Sequence, residues 1–281
     1  MASGDPAKAR SVLITGASSG IGLCSAYGLR ARGYRVIATA RKTEDVAQLS
    51  AAGFPALALD VADSRSVHAA ATEALRMSGG ALYGLFNNAG FGQVGALTDL
   101  TRAALREQFE VNVFGAHELT RAVLPAMCAR GEGRIIQTSS LLGLVCVKYR
   151  GAYNASKYAL EALSDTLRLE LAGSGVHVTL IEPGPIDSRF RSSAQAVYEQ
   201  RQRSGDLPQG PAQRAVEASL RREGGRKWFT LPPEAVVKKV IKALESPNPK
   251  PRYRVTAPSH VLALLKRWLP DRAMDALLGS I

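Results

Sequence analysis

The fold is decided by residues 11–22, which read Ser-Val-Leu-Ile-Thr-Gly-Ala-Ser-Ser-Gly-Ile-Gly. A short apolar run, typical of a buried strand, leads directly into a turn with three glycines, and a helical pattern follows. Glycine lets the backbone turn sharply and approach a ligand closely, while the start of a helix offers unpaired N–H groups and a positive dipole end to a pyrophosphate. The segment therefore predicts a dinucleotide-binding turn made by Gly16, Ser18, Ser19, Gly20, Ile21 and Gly22.

The same turn also satisfies the hydrolase pattern G-x-S-x-G, in which Ser18 would be the nucleophile. Such a serine needs an oxyanion hole from a loop after an earlier strand. Only one strand, residues 11–14, precedes this serine. The third glycine, Gly22, is what close approach of a helix to phosphate requires, so we prefer the dinucleotide interpretation.

Short strand patterns and helical patterns alternate outward from this turn through the first 190 residues. The predicted strands are 11–14, 35–40, 56–59, 83–86, 134–138 and 177–181. The predicted helices are 20–32, 43–51, 64–76 with Ser64 as N-cap, 101–129 and 151–171. Alternating β and α elements predict an α/β fold of the Rossmann type: a doubly wound parallel sheet of about seven strands, with helices on both faces. We find no internal repeat or linker and expect one domain over residues 1–281.

The pattern changes after Pro183. Residues 190–230 are polar and basic with weak periodicity, so we interpret them as a mobile insert that forms much of the substrate pocket. Pro232-Pro233 then begins an amphipathic helix, residues 253–256 form a last strand, and 259–281 are a basic, amphipathic C-terminal segment.

Composition bounds the function. The chain has 281 residues, 46% of them hydrophobic and 21% charged, which is typical of a globular protein. No run reaches the roughly 18 apolar residues of a membrane-spanning helix, and the N-terminus lacks the apolar stretch of a secretory signal. Cys24, Cys128 and Cys146 stand in apolar-periodic segments and are interpreted as reduced core thiols. We therefore expect a cytoplasmic protein.

The net charge of +12 is uneven. Residues 1–190 carry 19 basic and 16 acidic side chains, whereas 191–281 carry 17 and 8. Nucleic acid is a poor candidate partner, because no recognition motif or interleaved aromatic pattern accompanies the basic residues. The C-terminal segment has an apolar stripe beside basic residues: Val261, Leu262, Leu265, Trp268 and Leu269 beside Lys266, Arg267 and Arg272. Two alternatives remain for this stripe. It packs over the substrate cleft or a partner subunit, which we prefer, or it makes peripheral contact with an anionic membrane.

The end of the second strand indicates which dinucleotide is used. An acidic residue there would hold an unphosphorylated ribose, whereas a nearby arginine accepts a 2′-phosphate. The chain has Arg41-Lys42 at this point and no carboxylate until Glu44. Because the arginine fork suits phosphate, we expect NADP(H) as the cofactor.

The catalytic candidates follow the fifth strand. Tyr153 and Lys157 are four residues apart on a predicted helix, so their side chains share one face, and Ser140 ends the preceding strand. A phenol normally titrates near 10, and we expect the nearby ammonium, together with the positive nicotinamide of the oxidised cofactor, to lower that pKa. The pattern predicts a proton donor, Tyr153, working with a hydroxyl that holds the same substrate oxygen. Cys146 and Tyr149, in the loop between them, either line the substrate pocket or only pack the loop.

Together these motifs resemble the short-chain dehydrogenase/reductase family over about residues 11–190. Residues 15–22 resemble its glycine motif, and the motif ending its fourth strand is matched by Asn87-Asn88-Ala89-Gly90. Ser188 stands where the family often has threonine, and it keeps the hydroxyl. The resemblance implies the further cofactor-binding residues Asp60, Val61, Asn88, Ala89, Gly90, Tyr153, Lys157, Pro183, Gly184, Ile186 and Ser188.

The resemblance also implies the catalytic set and a mechanism. Asn112, Ser140, Tyr153 and Lys157 match the family's catalytic tetrad. Tyr153 would protonate the forming alkoxide, Ser140 would stabilise it, Lys157 would hold the nicotinamide ribose, and Asn112 would anchor a water leading to solvent. Within the family, the residues of these motifs most resemble those of bacterial NADPH-dependent aldehyde reductases, with hydroxysteroid and retinol dehydrogenases as the neighbouring branch.

The leading functional hypothesis is an NADPH-dependent reductase of apolar aldehydes or ketones that forms a homodimer or homotetramer. Oxidation of hydroxysteroid-like or retinol-like alcohols with NADP is an alternative. A non-catalytic dinucleotide-sensing module is a third possibility, although a sensor has no need of a proton donor. The four histidines are scattered without ligand spacing, so no metal site is expected.

Overall fold

The computed structural model describes residues 10–205, 211–225 and 229–279. Its strands are β1 (Ser11–Ile14), β2 (Arg35–Ala40), β3 (Ala56–Ala58), β4 (Leu82–Asn87), β5 (Gly133–Thr138), β6 (Val176–Glu182) and β7 (Arg252–Arg254). Its α-helices are α1 (Gly20–Ala31), α2 (Thr43–Ala51), α3 (Ser64–Met77), α4 (Arg102–Phe109), α5 (Gly115–Arg130), α6 (Gly151–Glu170), α7 (Phe190–Arg203), α8 (Pro211–Gly225), α9 (Glu234–Glu245), α10 (Ala257–Trp268) and α11 (Asp271–Gly279).

The seven strands form one parallel sheet in the order β3-β2-β1-β4-β5-β6-β7. The chain builds outward from β1 to β3 and then returns to the other side of β1 through β4. Successive connections therefore diverge between β1 and β4, which opens a crevice at the carboxyl ends of these two strands. The topology confirms the predicted doubly wound fold and places the ligand edge.

Both faces of the sheet are buried, because consecutive strand residues point to opposite sides. Ile14 and Phe86 pack on the face covered by α1 and α9. Leu13 and Leu85 pack on the other face, which is covered by α3 and α5. The central strands are thus fixed from both sides, and this rigid scaffold positions the loops at the carboxyl edge.

Residues 190–230, interpreted as a mobile insert because of their weak periodicity, contain more regular structure than that pattern indicated. The described residues there form α7 and α8, whose apolar positions are few but fall at helical spacing. Ala194 and Tyr198 on α7 pack against Val216 and Leu220 on α8, each pair being four residues apart. The long polar stretches between these pairs had hidden the periodicity.

Two smaller expectations were wrong, and a third was incomplete. The N-cap of α3 is Asp63, whose carboxylate accepts a hydrogen bond from the Arg65 amide, and Ser64 is the first helical residue. The helix predicted over residues 101–129 is present, but a π-helical turn, Glu110–Phe114, separates its two parts, α4 and α5. The cysteines are not core thiols: Cys24 is half-buried, and Cys128 and Cys146 are exposed.

Within the described part of the chain, no helix has the length and apolar character needed to cross a membrane.

Candidate active site

The glycine turn is fixed to the end of β4 by hydrogen bonds. The Thr15 hydroxyl accepts from the amides of Asn88 and Ala89, both at 2.9 Å, and the Asn88 side chain donates to the carbonyls of Thr15 and Gly16. A Cβ on Gly22 would lie 2.2 Å from the Gly16 oxygen. Only glycine therefore fits at position 22, and the start of α1 stays close to the turn.

The start of α1 fits the phosphates of a dinucleotide. Gly16 and Gly20 both have positive φ, which favours glycine, and the Ser19 side chain makes no capping hydrogen bond with the first turn of the helix. Ser188, from the loop after β6, lies beside this turn: a Cβ on Gly20 would be 3.2 Å from the Ser188 Cβ. The predicted phosphate-binding and nicotinamide-binding segments thus meet, with Ser18 and Ile21 half-buried in the same turn.

The residues predicted to hold the adenosine part of the cofactor lie at the ends of β2 and β3. Arg41 and Lys42 follow β2 directly and are exposed. Asp60 closes the loop after β3, its carboxylate accepting from the Ala62 amide at 3.0 Å, and Val61 is buried beside it. All four predicted residues therefore lie at the carboxyl edge of the sheet.

Asn112 joins the loop after β4 to α6, the helix that carries Tyr153 and Lys157. Its side-chain amide donates to the Phe91 carbonyl at 3.0 Å and to the Ser156 hydroxyl at 3.1 Å, and its oxygen accepts from the Phe91 amide. It lies in the π-helical turn between α4 and α5. A Cβ on Gly90 would lie 3.2 Å from the Asn112 side-chain oxygen. The glycine at the end of the β4 motif therefore lets the Asn112 side chain approach this loop closely.

Ser140, Tyr153 and Lys157 are brought together as the sequence predicts. Tyr153 and Lys157 are buried on one face of α6, and the Lys157 ammonium lies 5.6 Å from the centre of the Tyr153 ring. The ammonium donates to the Thr138 carbonyl at 2.7 Å, which ties α6 to the end of β5. The Ser140 hydroxyl hydrogen-bonds Tyr153 and also accepts from the Leu142 amide at 3.0 Å.

The electrostatics differ from the sequence expectation in one respect. Burial raises the pKa of Tyr153 to about 12, and the Ser140 hydrogen bond and the charge of Arg150 oppose that rise. Burial lowers the pKa of Lys157 to about 8, and the negative charge of Glu161 opposes that fall. In this environment desolvation outweighs the effect expected of the neighbouring ammonium, so the expected lowering of the phenol's pKa is not found in the protein alone.

Two site residues were missed by the sequence reasoning. Arg150 is 8% exposed and its charge acts on Tyr153, although the loop sequence gave no sign that it is buried. The centres of the Phe190 and Tyr153 rings lie 5.3 Å apart. A Cβ on Gly92 would lie 2.9 Å from the Phe190 ring. An aromatic residue directly after Ser188-Arg189 was the available signal for this wall of the site.

The turn after β6 closes the crevice opposite α1. The Pro183 carbonyl accepts from the Leu141 amide at 2.8 Å, which links this turn to the loop carrying Ser140. A Cβ on Gly184 would lie 2.2 Å from the Thr256 hydroxyl, so this glycine allows the turn to pack against the start of α10. Ile186 is buried and forms a bridge with Leu231.

Tyr149 and Cys146, in the loop between Ser140 and Tyr153, lie in different surroundings. The α7–α8 contact is joined by Val94 and by Tyr149, which has a φ of +62°. Tyr149 and the exposed Cys146 also line a groove of about 390 Å³ with Leu97 and Tyr158. Tyr149 therefore contacts the helices after Phe190, whereas Cys146 lies on the surface of the loop.

The C-terminal stripe is divided between two environments. Leu262, Leu265 and Leu269 pack against Leu141 and Val145 of the loop that follows Ser140. Three other apolar side chains of α10 remain exposed: Val261 at 54%, Leu264 at 59% and Trp268 at 75%. The packed half supports the loop that carries Ser140. Among the described residues, no three His, Cys, Asp or Glu side chains gather as a metal site would require.

The sequence pattern of the short chain dehydrogenase family matches residues 10–199, and the chain belongs to that family of oxidoreductases. It is 48% identical over 269 residues to "Uncharacterized oxidoreductase YbbO" of Escherichia coli strain K12, covering 96% of this chain and 94% of that protein. It is 33% identical to human "Retinol dehydrogenase 8", covering 92% and 85%.

Solved structures of the family share the whole fold. A short chain dehydrogenase from Burkholderia cenocepacia in complex with NADP superimposes with a TM-score of 0.74 at 25% identity, covering 97% of this chain and 98% of that one. One from Burkholderia phymatum in complex with NAD gives 0.76 at 27% identity, covering 98% and 97%. The fold thus accompanies either dinucleotide in its relatives.

Proposed function

We propose that the protein is an NADPH-dependent reductase of apolar aldehydes or ketones. The observation that carries the proposal is the buried Tyr153, hydrogen-bonded by Ser140 and 5.6 Å from Lys157, next to a glycine turn built for a dinucleotide. NADPH, when bound, supplies the hydride. With its pKa near 12, Tyr153 keeps its proton at neutral pH and can give it to the oxygen of a carbonyl whose carbon receives the hydride and whose π electron pair moves to that oxygen.

The other residues act around that oxygen. The Ser140 hydroxyl donates to it and stabilises the developing negative charge. Lys157 holds the ribose beside the nicotinamide and supplies positive charge beneath the phenol. Asn112 fixes Ser156, the neighbour of Lys157 on α6, and we assign to it the water through which the site exchanges protons with solvent.

The choice of NADPH over NADH rests on Arg41 and Lys42. Both are exposed at the end of β2, beside the place where an adenosine ribose lies in this fold. Between the end of β2 and Glu44 there is no carboxylate. A guanidinium there donates two hydrogen bonds to a 2′-phosphate.

The experiment follows NADPH absorbance with the purified protein against aliphatic, aromatic, steroid and retinoid carbonyls, and NADP reduction against the matching alcohols. Turnover of aldehydes or ketones is expected, and preference for retinoid or steroid alcohols would instead support the dehydrogenase alternative. Tight NADPH binding without turnover of any substrate would favour a dinucleotide sensor. The Phe190 ring beside Tyr153 supports an apolar substrate.

A homo-oligomer, dimer or tetramer, is part of the proposal. Apolar side chains remain exposed on the elements that carry the catalytic residues: Phe114 at 49% in the π-helical turn and Leu163 at 41% on α6. We expect light scattering to give a dimer or tetramer and the double substitution of these residues by aspartate to give monomers. An unchanged assembly state would contradict this use of the surface.

The exposed half of the C-terminal stripe is assigned to peripheral contact with anionic lipid by a cytoplasmic enzyme. Trp268 is three-quarters exposed beside the exposed Arg267 and Arg272, an arrangement that suits a bilayer interface with negative headgroups. Leu264→Ser with Trp268→Ser is expected to abolish co-sedimentation with phosphatidylglycerol vesicles, whereas Leu169→Ser, at another exposed leucine, is not. No binding of the wild type at low salt would contradict the assignment.

A further inference from the structure

Behind the catalytic lysine lies a cluster of charged side chains that the mechanism does not use. Glu182, at the end of β6, is fully buried, and Glu161 on α6 is 6% exposed. Arg252 donates to Glu161 at 3.0 Å and to Asp165 at 2.6 Å, and it lies 3.1 Å from Glu182. The cluster therefore joins α6, β6 and β7 directly beneath the site.

Glu161 is the member of this cluster that faces the catalytic lysine. It follows Lys157 by one helical turn, on the same face of α6. A Cβ on Gly143 would lie 3.1 Å from Glu161 Cγ and 3.2 Å from the Lys157 carbonyl oxygen, so this stretch of α6 packs tightly on the loop after Ser140. The Lys157 ammonium is itself buried and needs a counter-charge, because desolvation disfavours the charged form.

The charged and titratable groups around this pair come from four elements. Lys157 faces Tyr153 on α6 and the Thr138 carbonyl of β5. Glu161 faces Ser139 after β5 and Arg252 on β7. It also faces two carboxylates: that of Glu182, which pairs with Arg254, and that of Asp165, which pairs with Arg168. Burial raises the pKa of Glu161, and the Ser139 hydroxyl and Arg252 counter that rise, which favours the ionised carboxylate.

We propose that Glu161 is a positioning residue whose carboxylate, oriented by Arg252, keeps the Lys157 ammonium charged and in place beneath Tyr153. The catalytic consequence rests on the proposed reductase function, but the charge relationship does not. Asp165 provides the matched control, since it also pairs with Arg252 but lies two turns from Lys157 on α6.

The direct test is an NMR titration of the ¹³Cε signal of Lys157 in the full-length protein, assigned by its loss in Lys157→Met. We expect Glu161→Gln to lower the titration midpoint by about one pH unit or more, as a charge one turn away requires at an effective dielectric constant of about 20. Asp165→Asn is expected to leave it unchanged, and Glu161→Asp to restore most of it. An unchanged midpoint in Glu161→Gln, or an equal shift in Asp165→Asn, would overturn the proposal.

A second variant guards against misfolding. If Glu161→Gln does not fold, Glu161→Met with Arg252→Met removes the buried pair together, while Asp165 keeps its ion pair with Arg168 and Glu182 keeps its ion pair with Arg254. The Lys157 midpoint is again expected to fall by about one unit, and an unchanged midpoint would overturn the proposal. Where turnover is found, the basic limb of the pH–rate profile should move by the same amount. Absence of turnover with every carbonyl would count against the reductase function and leave the titration result standing.

Discussion

Lys157 and Tyr153 are buried 5.6 Å apart, ammonium to ring centre, with pKa values displaced in opposite directions by the same desolvation. The pKa of the lysine falls to about 8, whereas that of the tyrosine rises to about 12. As the pH rises, the lysine therefore loses its proton first. The tyrosine still holds the proton that reduction requires.

The first prediction concerns this order of titration. The rate of carbonyl reduction should be nearly constant below pH 8 and decline as the pH rises through about 8, because Lys157 becomes neutral while Tyr153 stays protonated. Initial rates with saturating NADPH across the alkaline range measure this decline. A rate that holds through the range in which a solvated lysine titrates would contradict it.

The second prediction tests the cofactor choice at the end of β2. Arg41→Asp should raise the KM for NADPH about tenfold or more, since a charge-assisted hydrogen bond contributes about 1.5–3 kcal/mol, and should leave the KM for NADH nearly unchanged. Steady-state kinetics with both cofactors measure the ratio. The conservative Arg41→Lys should lose less. Equal changes for the two cofactors would show that Arg41 does not contact the 2′-phosphate.

The third prediction concerns the glycine turn. Gly22→Ala should weaken NADPH binding at least about tenfold and lower the melting temperature, because the new Cβ would lie 2.2 Å from the Gly16 oxygen and overpacking forces the backbone to move. Gly279→Ala is the control, since its Cβ would meet nothing closer than 3.9 Å. Fluorescence titration and thermal unfolding measure both effects, and a Gly22→Ala protein that binds normally would refute the close approach.

The fourth prediction concerns stability and the buried Glu182. Burial raises its pKa to about 7, so between its ordinary value of 4.5 and about 7 the folded state binds more protons than the unfolded state. The contribution of Glu182 to the free energy of unfolding should therefore fall as the pH rises through this window. Urea unfolding of the wild type and Glu182→Gln on both sides of the window should show the variant gaining stability relative to the wild type. A constant difference would mean that the carboxyl does not titrate there.

Most of the sheet could be predicted from the sequence, because its strands are short apolar runs bounded by glycine, proline and asparagine. The bounds of β1 and β2 agree with the prediction, and the carboxyl edge follows from the order of the elements. The candidate site was largely predictable for the same reason, since its residues stand at strand ends or four apart on one helix. These relationships are local and therefore visible in the chain.

The remainder depends on contacts between distant segments. The pairing of α7 with α8 rests on a few apolar side chains within polar surroundings. Their helical spacing is therefore too sparse to be recognised in the sequence. The burial of Arg150 and the ion pairs of Arg252 with Glu161 and Glu182 join residues far apart in sequence. The pKa of Tyr153 likewise depends on how completely the folded site excludes water, which spacing does not reveal.

The most direct test of the proposed chemistry is single-turnover reduction by Tyr153→Phe with NADPH already bound. The substitution removes one hydroxyl from a buried ring, so we expect unchanged NADPH affinity and a chemical step slowed at least about 100-fold, the contribution expected of a general acid. If the variant binds NADPH normally and reduces the same carbonyl at a near wild-type rate, Tyr153 is not the proton donor.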